Sequence, residues 1–275
     1  MIALVLGGVL ITVGVAGFTV YLLRHRSGLQ LDAMERATRK TGLASEARTD
    51  LPPEVSGLAA RMGARSAGVP GYAIFEQTGQ MWLTPGGKPT DFTARQTVRV
   101  DETAFCWRAT MGPPTWVVVV DYFIAGIGGL EVKALGAFTV AQVAGGATAN
   151  QGEALRYLAE LPWNPDAILL NRSLEWTVVD ARTMKVATGR GDERGEVTFQ
   201  LDEQGLVVRM SAPSRTYGAG AKAERRPWHG RFWDYQSIGG RFLPCSGEVS
   251  WVLDAGDFTY WRGRLLNWHA PPPSK

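Results

Sequence analysis

From Tyr72 onward the chain alternates with a period of two, and that pattern limits the fold more than any other feature. In residues 195–201, Val197, Phe199 and Leu201 point one way and Glu196, Thr198 and Gln200 the other. Asp202-Glu203-Gln204-Gly205 supplies a turn, and Leu206, Val208, Met210 and Ala212 resume the apolar face. Successive side chains of a strand point to opposite faces, so this is a hairpin with one buried side. Phe92, Ala94, Gln96, Val98 and Val100 alternate in the same way against Thr93, Arg95, Thr97 and Arg99. A β-rich run from Trp116 to Ile127 ends at Gly128-Gly129. Gly239-Gly240 has the backbone freedom of a tight hairpin turn, and Asp254-Ala255-Gly256 joins strands over Glu248–Leu253 and Phe258–Trp268. Roughly a dozen such strands make one antiparallel sheet, and a sheet that long must curl to bury its apolar face.

Few helices interrupt it. Asn150 and Glu153 form a capping-box pattern before a helix whose apolar side is Leu155, Leu158 and Ala159. Glu153, Arg156, Tyr157 and Glu160 make a polar stripe, and Pro162 ends the helix. A second short helix runs from Pro165 to Leu170. Earlier, Pro52-Pro53 opens a helix with Val55, Leu58, Ala59 and Met62 on one face. The longer inserted helix is expected to pack into the concave side of the sheet.

The N-terminus reads differently. Ile2 to Leu23 carries no charged side chain, and about 33 Å of helix is enough to span a bilayer core. No basic residue precedes the run and no small-x-small cleavage site follows it, which favours an uncleaved anchor over a signal peptide. Arg24, Arg26, Arg36, Arg39 and Lys40 follow it, placing the body on the cytoplasmic side; a periplasmic body is the alternative. The chain divides into a transmembrane anchor (1–26), a juxtamembrane helix and linker (27–71), an antiparallel β domain (72–268) and a tail (269–275). Lys and Arg number 29 against 26 Asp and Glu, and most of the excess lies before residue 51, so the body is not a nucleic-acid binder by charge. Arg215, Lys222, Arg225 and Arg226, interrupted by Glu224, read as a solvated basic loop.

Two segments carry a resemblance. One is GEALRYLAELPWNPDAIL, residues 152–169; the other, between Arg226 and Arg262, contains PWHGRFWDYQSIGGRFLPCSGEVSW and DFTYWRG. FTA at 92–94 and FCW at 105–107 fit the same outline. Together they resemble an uncharacterised bacterial domain family marked by RYLAE-LPW-P and EVxW…YWRG. The strand pattern is also similar to the half-open barrels of LolA/LolB-like lipoprotein carriers. That resemblance implies a curled sheet with an apolar concavity closed by helices. The N-terminal span, in a chain resembling a bacterial family, points to the bacterial inner membrane.

Two cysteines, Cys106 and Cys245, and three histidines, His25, His229 and His269, exclude a four-thiolate zinc site and HExxH chemistry. No nucleophile elbow, P-loop or dinucleotide fingerprint occurs. Glu153, Arg156 and Glu160 can form a helix-surface salt ladder, serving either as a latch to the sheet or as the polar wall of a pocket beside Tyr157 and Trp163. Glu248 and Arg262 are candidates to join that latch. Tyr235, Trp251, Tyr260 and Trp261 complete the candidate set, and most of the ten tryptophans are read as core or concave-face packing. No cofactor or metal is expected. The sequence therefore points to a non-enzymatic, membrane-anchored module holding a lipid or other apolar molecule in its concavity. The alternative is an accessory subunit of a membrane complex, anchored by a span containing Gly7, Gly8, Gly14 and Gly17.

Overall fold

A computed structural model describes residues 2–39, 42–44, 46–112, 117–218 and 220–271, with residues 2–18 and 221 taken as backbone only. Among these residues thirteen strands form one sheet in the order β6-β5-β4-β3-β2-β1-β13-β12-β11-β10-β9-β8-β7. Two antiparallel meanders are thereby joined edge to edge. The first is β1 (Tyr72–Met81), β2 (Thr90–Arg99), β3 (Phe105–Met111), β4 (Val117–Ile124), β5 (Ile127–Ala134) and β6 (Phe138–Ala144). The second is β7 (Glu175–Asp180), β8 (Thr183–Thr188), β9 (Gly195–Leu201), β10 (Val207–Tyr217), β11 (Glu224–Ile238), β12 (Arg241–Leu253) and β13 (Gly256–His269). The last strand pairs with the first, Phe75 opposite Trp268 and Gly79 opposite Gly263. β6 and β7 each have one neighbour, so the sheet stays open.

Helix α3 (Ala147–Ala159) touches β4 and β5 from one meander and β8, β9 and β10 from the other. The sheet therefore curls around it, and the main core fills the space between. Phe105, Trp107 and Ala109 face inward along β3, whereas Cys106 faces out. The outward face of β2–β4 is covered by α1 (Ile2–Thr38), with Leu31 packed on Cys106, Val118 and Val120. That second cover explains why β4, with Val118 and Val120 on the face opposite Val119, is apolar on both faces and lacks clean alternation. Glu35 of α1 accepts a hydrogen bond from Thr97 at 3.2 Å and lies 3.3 Å from Arg95.

Several expectations change here. Residues 27–38, expected as a helix leading into a linker, are the last part of α1, and Leu31 packs them on the sheet. The apolar run Ile2–Leu23 falls mainly on residues 2–18, whose side chains lie outside the described set. Among the described residues no helix is long and apolar enough to cross a membrane. Gly128-Gly129 does not end a strand; the break comes earlier, at Ala125-Gly126, where both residues have positive φ (52° and 79°). Asn150 is not an N-cap, because α3 begins three residues earlier, after Gly146. Its side chain instead accepts from Gly128 N at 2.8 Å and donates to Glu193 at 2.8 Å.

The hairpin 195–212 forms as read, with one shift. Val207 pairs with Leu201 and Arg209 with Gln200, leaving Val208 as an extra residue. This bulge turns Val207 into the core at 1% exposure, and leaves Val208 half-buried on an outer groove. The turn at Gly239-Gly240 has positive φ at both positions (58° and 76°), as a primed hairpin turn requires. Helix α4 (Pro165–Leu170) and α2 (Pro53–Arg61) form where proline placed them. They pack together at one end of the core, and Asp166, fully buried, receives Arg241 at 2.7 and 2.9 Å and Arg65 N at 2.8 Å.

Candidate functional site

The concavity contains a cavity of about 250 Å³. Its wall is aromatic because inward positions on β3, β11, β12 and β13 carry Trp107, Trp228, Trp251, Tyr260 and Trp261, while the turn after α3 adds Trp163. Most indole N–H groups are committed elsewhere. Trp163 donates to Pro244 O at 2.7 Å, Trp107 to Gln77 at 3.1 Å and Trp228 to Tyr260 at 3.2 Å. The cavity therefore sees ring surface, which is the usual lining of a small-molecule pocket.

The buried charges gather where α3 meets β2, β4 and β10. Arg156 donates to Glu160 at 3.0 Å, pairs with Asp121 of β4, and reaches Gln96 of β2 at 3.4 Å. Gln96 in turn donates to the other Glu160 oxygen at 2.5 Å. The guanidinium lies 4.9 Å from the ring centres of both Phe105 and Trp107. Burial disfavours its charge, but Asp121, Glu160 and Glu153 outweigh that and hold the cation. Glu153 does not complete the ladder on the helix surface. It points to Asp121 and lies 3.9 Å from Arg215 of β10. Burial first, and the Asp121 carboxylate second, push its carboxyl well above the usual carboxylate range. Arg215 stacks on Trp228 at 4.4 Å and on Trp251 at 5.7 Å.

The sequence-derived residues separate as follows. Glu153, Arg156, Glu160, Trp163, Glu248, Trp251, Tyr260 and Trp261 all contribute to the cavity wall. Glu248, however, turns its carboxylate to the outer face, where Arg262 donates at 2.9 Å and Arg231 lies 3.7 Å away. Arg262 is therefore an outer-surface residue, not part of the latch on α3. Tyr157 is buried and donates to Arg99 O at 3.1 Å, while Asn171 donates to its hydroxyl at 3.0 Å. Tyr235 belongs to a separate shallow groove and donates to Val207 O at 2.7 Å. Trp233 is 40% exposed on the outer face, unlike the other motif tryptophans.

Two charged cavity residues escaped the sequence reading. Asp121 is the one charge in the apolar run VVVVDYFI, and an acid in such a strand was the available signal. Arg215 is not in a basic loop; it sits on β10 and faces inward. A second bulge between Ala212 and Arg215 reverses the parity there, which extrapolated alternation cannot anticipate. Arg225 and Arg226 are held at the surface by Ser214, Gln151, Glu224 and Asp254.

Other chemistries find little geometry. Cys106 and Cys245 are both free and buried, and burial pushes the Cys106 thiol up to about 12. His229 pairs with Asp257 at 2.8 Å. Its register partner on β12 is Ser250, roughly 16 Å along the strand from Cys245, so these two do not form a nucleophile–base pair. No cluster of three or more His, Cys, Asp or Glu suited to a metal ion occurs among the described residues.

Residues 43–263 match a family described as one of unknown function, DUF6544. The chain belongs to that family. No protein of curated function matches it. Among solved structures, similar chains include a LolA superfamily protein, NE2245, from Nitrosomonas europaea. It has 9% identity and a TM-score of 0.45, over 80% of this chain and 94% of that one. Another is a DUF1329 family protein from Desulfovibrio piger, at 11% identity and a TM-score of 0.47, over 80% and 93%. In this DUF6544 member the RYLAE-LPW-P segment thus does two jobs: Tyr157 and Trp163 lock the helical insert to β2, β12 and β13, and Arg156 and Glu160 line the cavity.

Proposed function

We propose that this protein is a binding module, not an enzyme, that holds a small, largely apolar molecule in the concavity between the curled sheet and α3. The observation that carries this reading is the aromatic cavity of about 250 Å³, whose buried charges gather where α3 meets β4 and β10. At roughly 30 Å³ per methylene-sized group, the volume of a liquid water, it takes about eight such groups. A sixteen-carbon acyl chain needs about twice that. The ligand class is therefore short-chain or single-ring rather than a complete long-chain lipid.

Titration of the full chain with primary alcohols of increasing length tests this, read by tryptophan emission. Saturable binding that strengthens up to about eight carbons and then stops improving is expected. A chain-length series that never saturates, or shows no binding at any length, overturns the reading.

A further inference from the structure

The charged side of the cavity narrows the ligand further, on the premise that the cavity is a binding site. Glu153 and Asp121 are 9% and 7% exposed, and both line the cavity. Glu153 Oε2 and Asp121 Oδ1 have no hydrogen-bond donor among the described residues. Buried carboxylate oxygens without donors are costly, so these two call for a positively polarised hydrogen between them. Arg156 does not supply it, being engaged with Glu160, Gln96 and the other Asp121 oxygen. Arg215 lies 3.9 Å from the other Glu153 oxygen and stacks on indole.

Formal charges decide the sign of the missing group. Glu248 also lines the wall, but its carboxylate is turned outward and paired with Arg262. Inside, the cavity holds two arginines, Arg156 and Arg215, against three carboxyls, Asp121, Glu153 and Glu160. With every group ionised it carries one uncompensated negative charge. One proton on the Asp121–Glu153 pair neutralises it, and so does one ligand cation. A ligand anion would make the imbalance worse.

We propose that the Asp121–Glu153 pair is the recognition site for a primary ammonium group, whose hydrocarbon or aryl part fills the tryptophan-lined cavity. Two orphan oxygens need N–H donors, which selects a primary ammonium over a quaternary one. Binding exchanges one cation for one proton: the R–NH3+ group enters, and the proton held by the acid pair leaves to solvent. Charge in the cavity stays at zero. The ligand class is thus an alkyl- or arylalkylamine of about eight to ten heavy atoms, by the volume argument above.

Three probes of equal length separate the cases: octylammonium, 1-octanol and octanoate, each titrated calorimetrically into the full chain near neutral pH. Octylammonium is expected to bind at least tenfold more tightly than the other two. Its apparent enthalpy should change with the ionisation enthalpy of the buffer, because a proton is released. Glu153→Gln should remove the preference, bringing octylammonium down to the affinity that octanol has for the same variant. If octanol binds as tightly as octylammonium in the natural protein, the ammonium site is wrong and the apolar reading stands. Tightest binding of octanoate overturns the charge argument, and binding without proton release overturns the exchange. If none of the three binds, the binding-module reading itself falls. The probe ranking and the proton release are measured on the unsubstituted chain, so both remain decisive should the variant misfold.

Discussion

Glu153 is a carboxyl that folding places where its charged form is poorly supported. Asp121 of β4 faces it, Arg215 of β10 lies 3.9 Å away, and Arg156 follows it by a turn on α3. Burial is the first cause of its raised pKa and Asp121 the second. The native state therefore holds a proton that the unfolded chain releases near 4.5. By linkage, the contribution of Glu153 to stability is full below that value and is lost as pH rises through the higher native value. Glu153→Gln keeps a donor toward Asp121 without a titrating proton. Wild type should thus lose stability relative to the Gln variant as pH rises from 4.5, and urea unfolding over a pH series measures the difference. A difference that stays constant with pH would show that Glu153 is not protonated in the folded state. The composition of this site was only half legible in the sequence. Glu153, Arg156 and Glu160 were visible because helix spacing puts them on one face. Their partners were not, since Asp121 and Arg215 arrive from strands distant in the chain, one of them past a bulge.

Elements became legible where local periodicity and turn chemistry agreed. The β9–β10 hairpin, the Gly239-Gly240 turn and α4 all formed close to where alternation, paired glycines and proline placed them. They were misread where a tertiary contact overrode the local signal. Asn150 looks like a cap, yet it holds Gly128 and Glu193 from inside α3. Gly128 looks like a break, yet it lies within β5 because α3 crosses it too closely for a side chain. A Cβ there would come within 2.9 Å of both Ala149 O and Glu153 Cγ. Since Ala149 O is backbone, the helix must shift to make room. Gly128→Ala is expected to destabilise the fold by about 1–3 kcal/mol through this overpacking, measured by urea unfolding. Gly28, on α1 with open space around it, is the contrast: Gly28→Ala should stabilise by about 0.5–1 kcal/mol. Equal effects at the two positions would mean that α3 does not press on β5 as described.

The whole molecule depends on a pairing that the chain completes last. β1 and β13 are separated by most of the sequence, yet they are neighbours at the centre of the sheet. Among the described strands, β13 alone joins the two meanders by strand pairing. It also brings Leu265 and Trp268 into the core, each 2% exposed, and Trp268 donates to Trp163 O at 2.9 Å. Without it, β1 and β12 become adjacent bare edges, and the helical insert loses an anchor. Local strand signals give each meander but not the join, because register between strands so far apart is set by packing and not by a turn. A chain ending at Leu253 should therefore keep strand-rich far-ultraviolet dichroism and lose cooperative melting. Its tryptophan emission should shift to the red as the cavity rings meet water. The intact chain must pay the closure entropy of a long loop before β1–β13 contacts form, so it should refold in milliseconds to seconds, with tryptophan burial as the late phase. A truncated chain that melts in one sharp transition near the temperature of the full one would mean that the first meander and the helical insert form the cooperative unit. The second meander would then be an addition to it rather than half of one curled sheet.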